Sequence, residues 1–191
     1  MIEKSVEKLL ICDDIKTVKS VEGLAEHVFK KWIEFNIHMR QDSICFYSPL
    51  FWCNLSDEHQ ALTFDICMNQ ILYRELTPEE HFTNMLFVQK EQGWKKAPVY
   101  DSFKKHTPNL VRWDQLAAAA RLHNILLKKR FDRYMEYLEH LFCLNVLDEA
   151  NRKKQTVCFF IREKEKFLRE KRRKRVNAMQ EPICTGGLKS I

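Results

Sequence analysis

The chain has 191 residues, 45% of them hydrophobic and 12% aromatic, with a formal net charge of +6. That length suits one domain with an appendage, and the composition supports a packed core rather than a disordered chain. No run approaches the roughly 18 uncharged apolar residues that a membrane-spanning helix needs. The opening Met1-Ile2-Glu3-Lys4 lacks a secretory-leader pattern, so a cytoplasmic protein without a membrane partner is expected.

Glycine is scarce, with four in the chain, and Leu, Lys and Glu are plentiful, which favours helix. In SVEGLAEHVFKKWIEFN (20–36), Val21, Leu24, Ala25, Val28, Phe29, Trp32 and Ile33 share one helical face, with Ser20 as N-cap. Ile44-Cys45-Phe46-Tyr47 suggests a small ribbon. A helix over 56–73 opens on Ser-Asp-Glu, a cap followed by acids that suit the helix dipole. Thr77-Pro78-Glu79-Glu80 reads as a capping box with Pro in the first turn, and Gly93 as the residue ending that helix.

Residues 91–116, EQGWKKAPVYDSFKKHTPNLVRWDQL, form a long aromatic and basic loop of the kind that is uncommon unless it is functional. Asp114 is placed to cap the next helix, which runs through Ala117–Ala120 to about residue 147, with Phe131 as a candidate position for a break. A last helix is expected over 150–176 and a loose terminus over 177–191.

The seven cysteines follow no framework spacing and read as free thiols. Cys45, Cys53, His59 and Cys67 are too far apart in sequence for a zinc knuckle, so no metal and no cofactor are expected. No paired acid and base, activated thiol or glycine-rich phosphate loop is evident, which argues against an enzyme. Histidines 27, 59, 81, 123 and 140 fall on expected helices, where a structural role is the default. The charge is unevenly spread. REKEKFLREKRRKR (162–175) has nine basic and three acidic residues and accounts for the whole surplus.

The two halves share a pattern. EHVFKKW (26–32) precedes SPLFWCNLSDEHQAL (48–62), and EEHFTNML (79–86) precedes TPNLVRWDQLAAAARL (107–122). Pro49 pairs with Pro108, Trp52 with Trp113 and Leu55 with Leu116. The second unit resembles the ryanodine-receptor (RyR) repeat, a small domain also found in bacterial and phage proteins. Gly93-Trp94, Pro98, Asp101, Lys104, Lys105, His106, Leu110-Val111 and Leu116 stand where that family has its motif. Ala97 replaces a Gly, Thr107 is inserted, and Arg112 and Trp113 replace Pro and Tyr. Leu24, Ala25 and Trp32 match the family's first helix. The resemblance covers roughly 20–145, as two diverged copies or one copy with an insertion. It implies a compact, mainly α domain with little strand and no catalytic set. It also implies a nucleotide-like ligand and a bacterial or viral setting, hence host cytoplasm if viral.

The expected organisation is an RyR-like helical domain over 1–149, with units about 20–75 and 77–147, then a basic helix over 150–176 and a tail. A ligand site in the loops would use Trp94, Tyr100 and Trp113 to stack on a base. Lys95, Lys104, His106 and Arg112 would hold phosphate, Asp101 a ribose hydroxyl or a turn, and Tyr47 and Trp52 would come from the first unit. The alternative is nucleic-acid or partner binding through Lys171, Arg172, Arg173, Lys174 and Arg175.

Overall fold

In the computed structural model the described residues are 13–38, 46–47, 51–101, 103–142 and 149–180. They are mainly helical, with α1 (Val21–His38), α2 (Asp57–Leu72), α3 (Pro78–Glu91), α4 (Ala118–Leu141) and α5 (Glu149–Gln180). Local signals set most boundaries. The Ser56 hydroxyl accepts the His59 N–H at the start of α2. At α3 the capping box forms in both directions, with the Thr77 N–H donating to Glu80 at 2.7 Å and the Glu80 N–H to the Thr77 hydroxyl at 3.3 Å. Gly93 ends α3 at φ +81°, where the Gly93 and Trp94 N–H groups close onto the Lys90 and Gln89 carbonyls, both at 3.0 Å. That left-handed turn favours glycine.

Three expectations need correcting. Helix α4 starts from Ala117 with no side-chain cap, because Asp114 sits in the preceding 3-10 turn beside Arg112. It also runs through Phe131 without a break, since Phe131 is 1% exposed and belongs to the core. The last helix reaches Gln180, beyond the expected stop at 176.

The core gathers apolar faces of α1, α2, α4 and α5. Leu24, Ala25, Phe64, Cys67, Ile71, Phe131, Leu138 and Phe160 are almost wholly buried. Each such Leu, Ile or Phe contributes about 1.5–3 kcal/mol by leaving water. Helix α5 is part of this body. Phe160 and Thr156 are buried, and Phe167 packs on Phe64 at 5.3 Å and on Trp52 at 6.3 Å.

The loop of 91–116 is more regular than the sequence suggested. It contributes β2 (Lys95–Lys96), β3 (Tyr100–Asp101) and β4 (His106–Thr107), which join β1 (Phe46–Tyr47) in the order β1-β3-β4-β2. β3 and β4 are antiparallel, and the two outer pairings are parallel. The two Trp-x-x-Leu stretches fold alike. Trp52–Asn54 and Trp113–Gln115 are 3-10 turns, and the Leu55 and Leu116 N–H groups bond the Trp52 and Trp113 carbonyls, each at 3.1 Å. Leu55 and Leu116 are then extended and buried before the next helix begins. Each Trp packs against the preceding helix, Trp52 on Phe29 of α1 at 6.1 Å and Trp113 on Phe82 of α3 at 5.7 Å.

Candidate ligand-binding site

The β2–β4 segment is held by its own backbone. The Lys95 and Ala97 N–H groups donate to the Lys105 and Thr107 carbonyls at 2.8 and 3.1 Å. Asp101 folds the β3–β4 turn by accepting the Phe103 and Lys104 N–H groups at 3.0 and 3.1 Å. Lys105 takes φ +55° to close it. This arrangement turns Trp94 and Thr107 inward and leaves Lys95, Lys96, Phe103 and Lys104 in solvent.

Beneath the segment lies a cavity of about 180 Å³, walled by α1, α2, α3 and α4. Its apolar lining is Val28, Phe29 and Trp32 of α1, Leu62 and Ile66 of α2, Phe82 and Met85 of α3, Leu127 of α4, and Trp94. Tyr100 completes the wall, with its ring 5.6 Å from Trp32 and 5.9 Å from Trp94. Polar groups converge from every side: Thr63, Gln70, His81, Gln89, Thr107, Asn109, His123 and Asn124. Among the described residues none of the lining side chains is a Lys, Arg, Asp or Glu.

Several of these polar groups are satisfied. Thr63 and Asn124 donate to carbonyls of their own helices, at 3.0 and 2.8 Å, and the Thr107 hydroxyl accepts the Asn109 N–H at 3.2 Å. Gln70 differs. It is 4% exposed and its Oε1 has no hydrogen-bond partner among the described residues; His81 is 2% exposed, with the Tyr73 carbonyl as the group that draws on its ring. Buried polar groups are normally paired, so an unpaired Gln70 oxygen on the cavity calls for an explanation.

Burial sets the titration of the surrounding rings. The His81 imidazole is lowered by burial and by Lys128, while the Tyr73 carbonyl, Asp132 and Glu75 pull the other way. Burial takes His123 down to about 4, with Arg130 adding to the effect. His59, behind Trp94, is brought to about 4 by burial, with Glu58 opposing and Lys105 adding. Its Nε2 lies 3.1 Å from the Tyr100 hydroxyl, and burial, then Asp101, raises that phenol above its ordinary value. At neutral pH the cavity therefore presents neutral rings.

The residues singled out from sequence fall in different places. Trp94 and Tyr100 line the cavity. Trp113 is half-buried against Phe82 and does not line it. Trp52 lies in the core, ringed by Phe29, Phe64 and Phe167. The Tyr47 side chain falls outside the described residues. Asp101 closes the turn. Lys104 is exposed and 3.8 Å from Asp101, and Arg112 is exposed and pairs with Asp114 at 3.0 Å. His106 is half-buried in β4, and Lys95 is exposed in β2. None of these four basic residues lines the cavity. Sequence reasoning missed Gln70, Gln89, Asn109 and Asn124, read Trp32 only as core, and read His81 and His123 only as structural. The available signal was polar side chains on otherwise apolar helix faces.

A second, more open hollow of about 360 Å³ lies on the other side of Trp94, lined by Glu58, His59, Asp65, Lys105, Lys164 and their neighbours. Its charges are paired, Lys105 with Glu58 at 3.0 Å and Lys164 with Asp65 at 2.6 Å. The basic run of α5 is also partly used. Lys171 reaches Asp57 at 3.0 Å, the Leu55 carbonyl at 3.3 Å and the Gln60 side-chain oxygen, and Arg175 reaches Asp57 at 2.7 Å. Burial works against the charge on Asp57, but the bonds and charges of Lys171 and Arg175 outweigh it and hold its carboxyl below the usual range. Arg172, Arg173 and Lys174 face solvent.

No protein-family model matches the chain, and neither the curated proteins nor the solved structures contain a match to it.

Proposed function

We propose that this chain is a non-enzymatic binding module for a small nucleotide-type ligand, whose base enters the cavity beneath the β2–β4 segment. The observation that carries this reading is the cavity itself: an aromatic-walled space with converging polar groups, one of which, the Gln70 side-chain oxygen, is buried and unpartnered among the described residues. Ligand sites have that composition, mostly apolar with a few placed hydrogen-bonding groups. The resemblance of residues 93–116 to the RyR repeat adds to the proposal on its motif residues alone. A sensor or sponge for a signalling nucleotide is the concrete form of the idea.

A thermal-shift screen of the full chain against bases, nucleosides, nucleotides and cyclic dinucleotides tests it. A ligand at 100 times its dissociation constant adds about 2.7 kcal/mol to stability, a readily visible shift. No shift with any of these classes removes the proposal. The solvent-facing Arg172, Arg173 and Lys174 support a second reading, nucleic-acid binding along α5. That reading requires polymer binding which weakens with salt and disappears when residues 171–191 are deleted.

A further inference from the structure

We infer that the cavity takes an uncharged, flat nitrogen heterocycle of nucleobase size, with an N–H edge donating to the Gln70 side-chain oxygen, and that any phosphate stays outside and goes unread. This deepens the binding reading above and rests on it. Size comes first. The cavity holds about 180 Å³. An apolar cavity of about 150 Å³ accepts a benzene ring, whereas pockets for drug-sized ligands start at about 300 Å³. One ring or a fused pair fits, and a whole nucleotide does not.

Charge comes next. A phosphate or ammonium drawn inside loses its water and meets no counter-charge among the described residues, none of whose lining side chains is ionic. The nearby cations are committed elsewhere, Lys105 to Glu58 and Lys128 to Asp132. Lys104 and Arg112, which the sequence offered as phosphate holders, are exposed and paired with Asp101 and Asp114.

The edge follows from the unpartnered atom. Gln70 Oε1 accepts only, so it needs a donor from the ligand. A neutral His81 adds one donor, which the Tyr73 carbonyl also attracts, and one acceptor, since one imidazole nitrogen carries the proton. Adjacent N–H and ring nitrogen or carbonyl groups are what a purine or pyrimidine edge carries. Trp32, Trp94 and Tyr100 supply faces for its ring. A hydrocarbon of the same size leaves the polar atoms unsatisfied and is rejected for that reason.

The test uses the full chain and calorimetric titration with adenine, hypoxanthine, uracil and cytosine, their nucleosides and their 5′-monophosphates. At least one base is expected to bind, with its nucleoside and monophosphate within about threefold, since the added groups are not read. Gln70→Leu removes the acceptor at nearly constant volume and is expected to weaken binding tenfold or more, the size of one lost hydrogen bond left unanswered (about tenfold per 1.4 kcal/mol). The same change removes a buried unpaired polar atom, so the ligand-free variant is expected to melt about 3 °C higher.

Binding that needs phosphate, falls with Lys104→Ala and is untouched by Gln70→Leu overturns this inference and leaves the binding function standing. Equal affinity in Gln70→Leu overturns it as well. A lower melting temperature in Gln70→Leu also overturns it, because Gln70 is then a partnered structural residue. Failure of every base, nucleoside and nucleotide to bind overturns both readings together.

Discussion

His59 offers a sharp test of how the site is built. It is 9% exposed, its ring stands edge-on to Trp94 at 5.0 Å, and its nitrogens face the Tyr100 and Ser56 hydroxyls. Burial lowers its pKa from 6.5 to about 4, against the pull of Glu58 and with the push of Lys105. The folded chain therefore refuses a proton that the unfolded chain accepts. Above pH 6.5 this has no consequence. As pH falls below 6.5 the unfolded state gains, and the loss of stability levels off only below about pH 4. Between pH 7 and pH 5 the shift of this one group costs about 2 kcal/mol.

His123 is lowered to about 4 as well and adds in the same direction. So does His81. Asp57, whose carboxyl lies below the usual range, stays ionised at pH 5, and the Lys171 network persists through the comparison. The assay is urea unfolding of the native chain and of His59→Gln at both pH values. The native chain is expected to lose at least about 2 kcal/mol, and the variant about 2 kcal/mol less than that. Equal losses in the two proteins would refute the claim that His59 is held neutral by burial behind Trp94.

Other outcomes follow from particular contacts. Lys171→Met deprives the Gln60 side-chain oxygen, in a residue 1% exposed, of its donor, and urea unfolding should show a loss of about 1–3 kcal/mol. Gly93→Ala should cost about 1 kcal/mol by the same assay; a Cβ there meets no atom within 4 Å, so the penalty is that of φ +81° alone. Phe131→Ala should cost about 3–5 kcal/mol, as expected for a core aromatic in an unbroken helix, whereas Phe103→Ser, at a position 75% exposed, should leave the urea midpoint unchanged.

Local chemistry was readable in the sequence and long-range chemistry was not. The Thr77–Glu80 capping box, the Ser56 cap and the Gly93 stop each lie within a few residues of their partners, and the structure contains all three. The two-residue strands left no alternation to detect, and β1 pairs with a segment more than fifty residues away. Asp114 had the right chemistry for a cap but was drawn into the 3-10 turn that Trp113 begins. Lys171 and Arg175 read as a free basic run, because the acid that binds them, Asp57, is remote in sequence. The site was half visible. Trp94 and Tyr100 stood out as aromatics in a loop, but Gln70 and His81 lie on helices, where what a polar side chain on a buried face meets shows only in three dimensions.

The most direct measurement of the central claim uses the four tryptophans as reporters. Trp32 and Trp94 line the cavity, and Trp52 and Trp113 do not. Two double variants, Trp52→Phe/Trp113→Phe and Trp32→Phe/Trp94→Phe, are titrated with the base that stabilises the native chain most, and emission is followed. A ligand seated in the cavity gives saturable quenching in the first variant and none in the second. Saturable quenching confined to the second variant, or none in either, would contradict the cavity as the binding site.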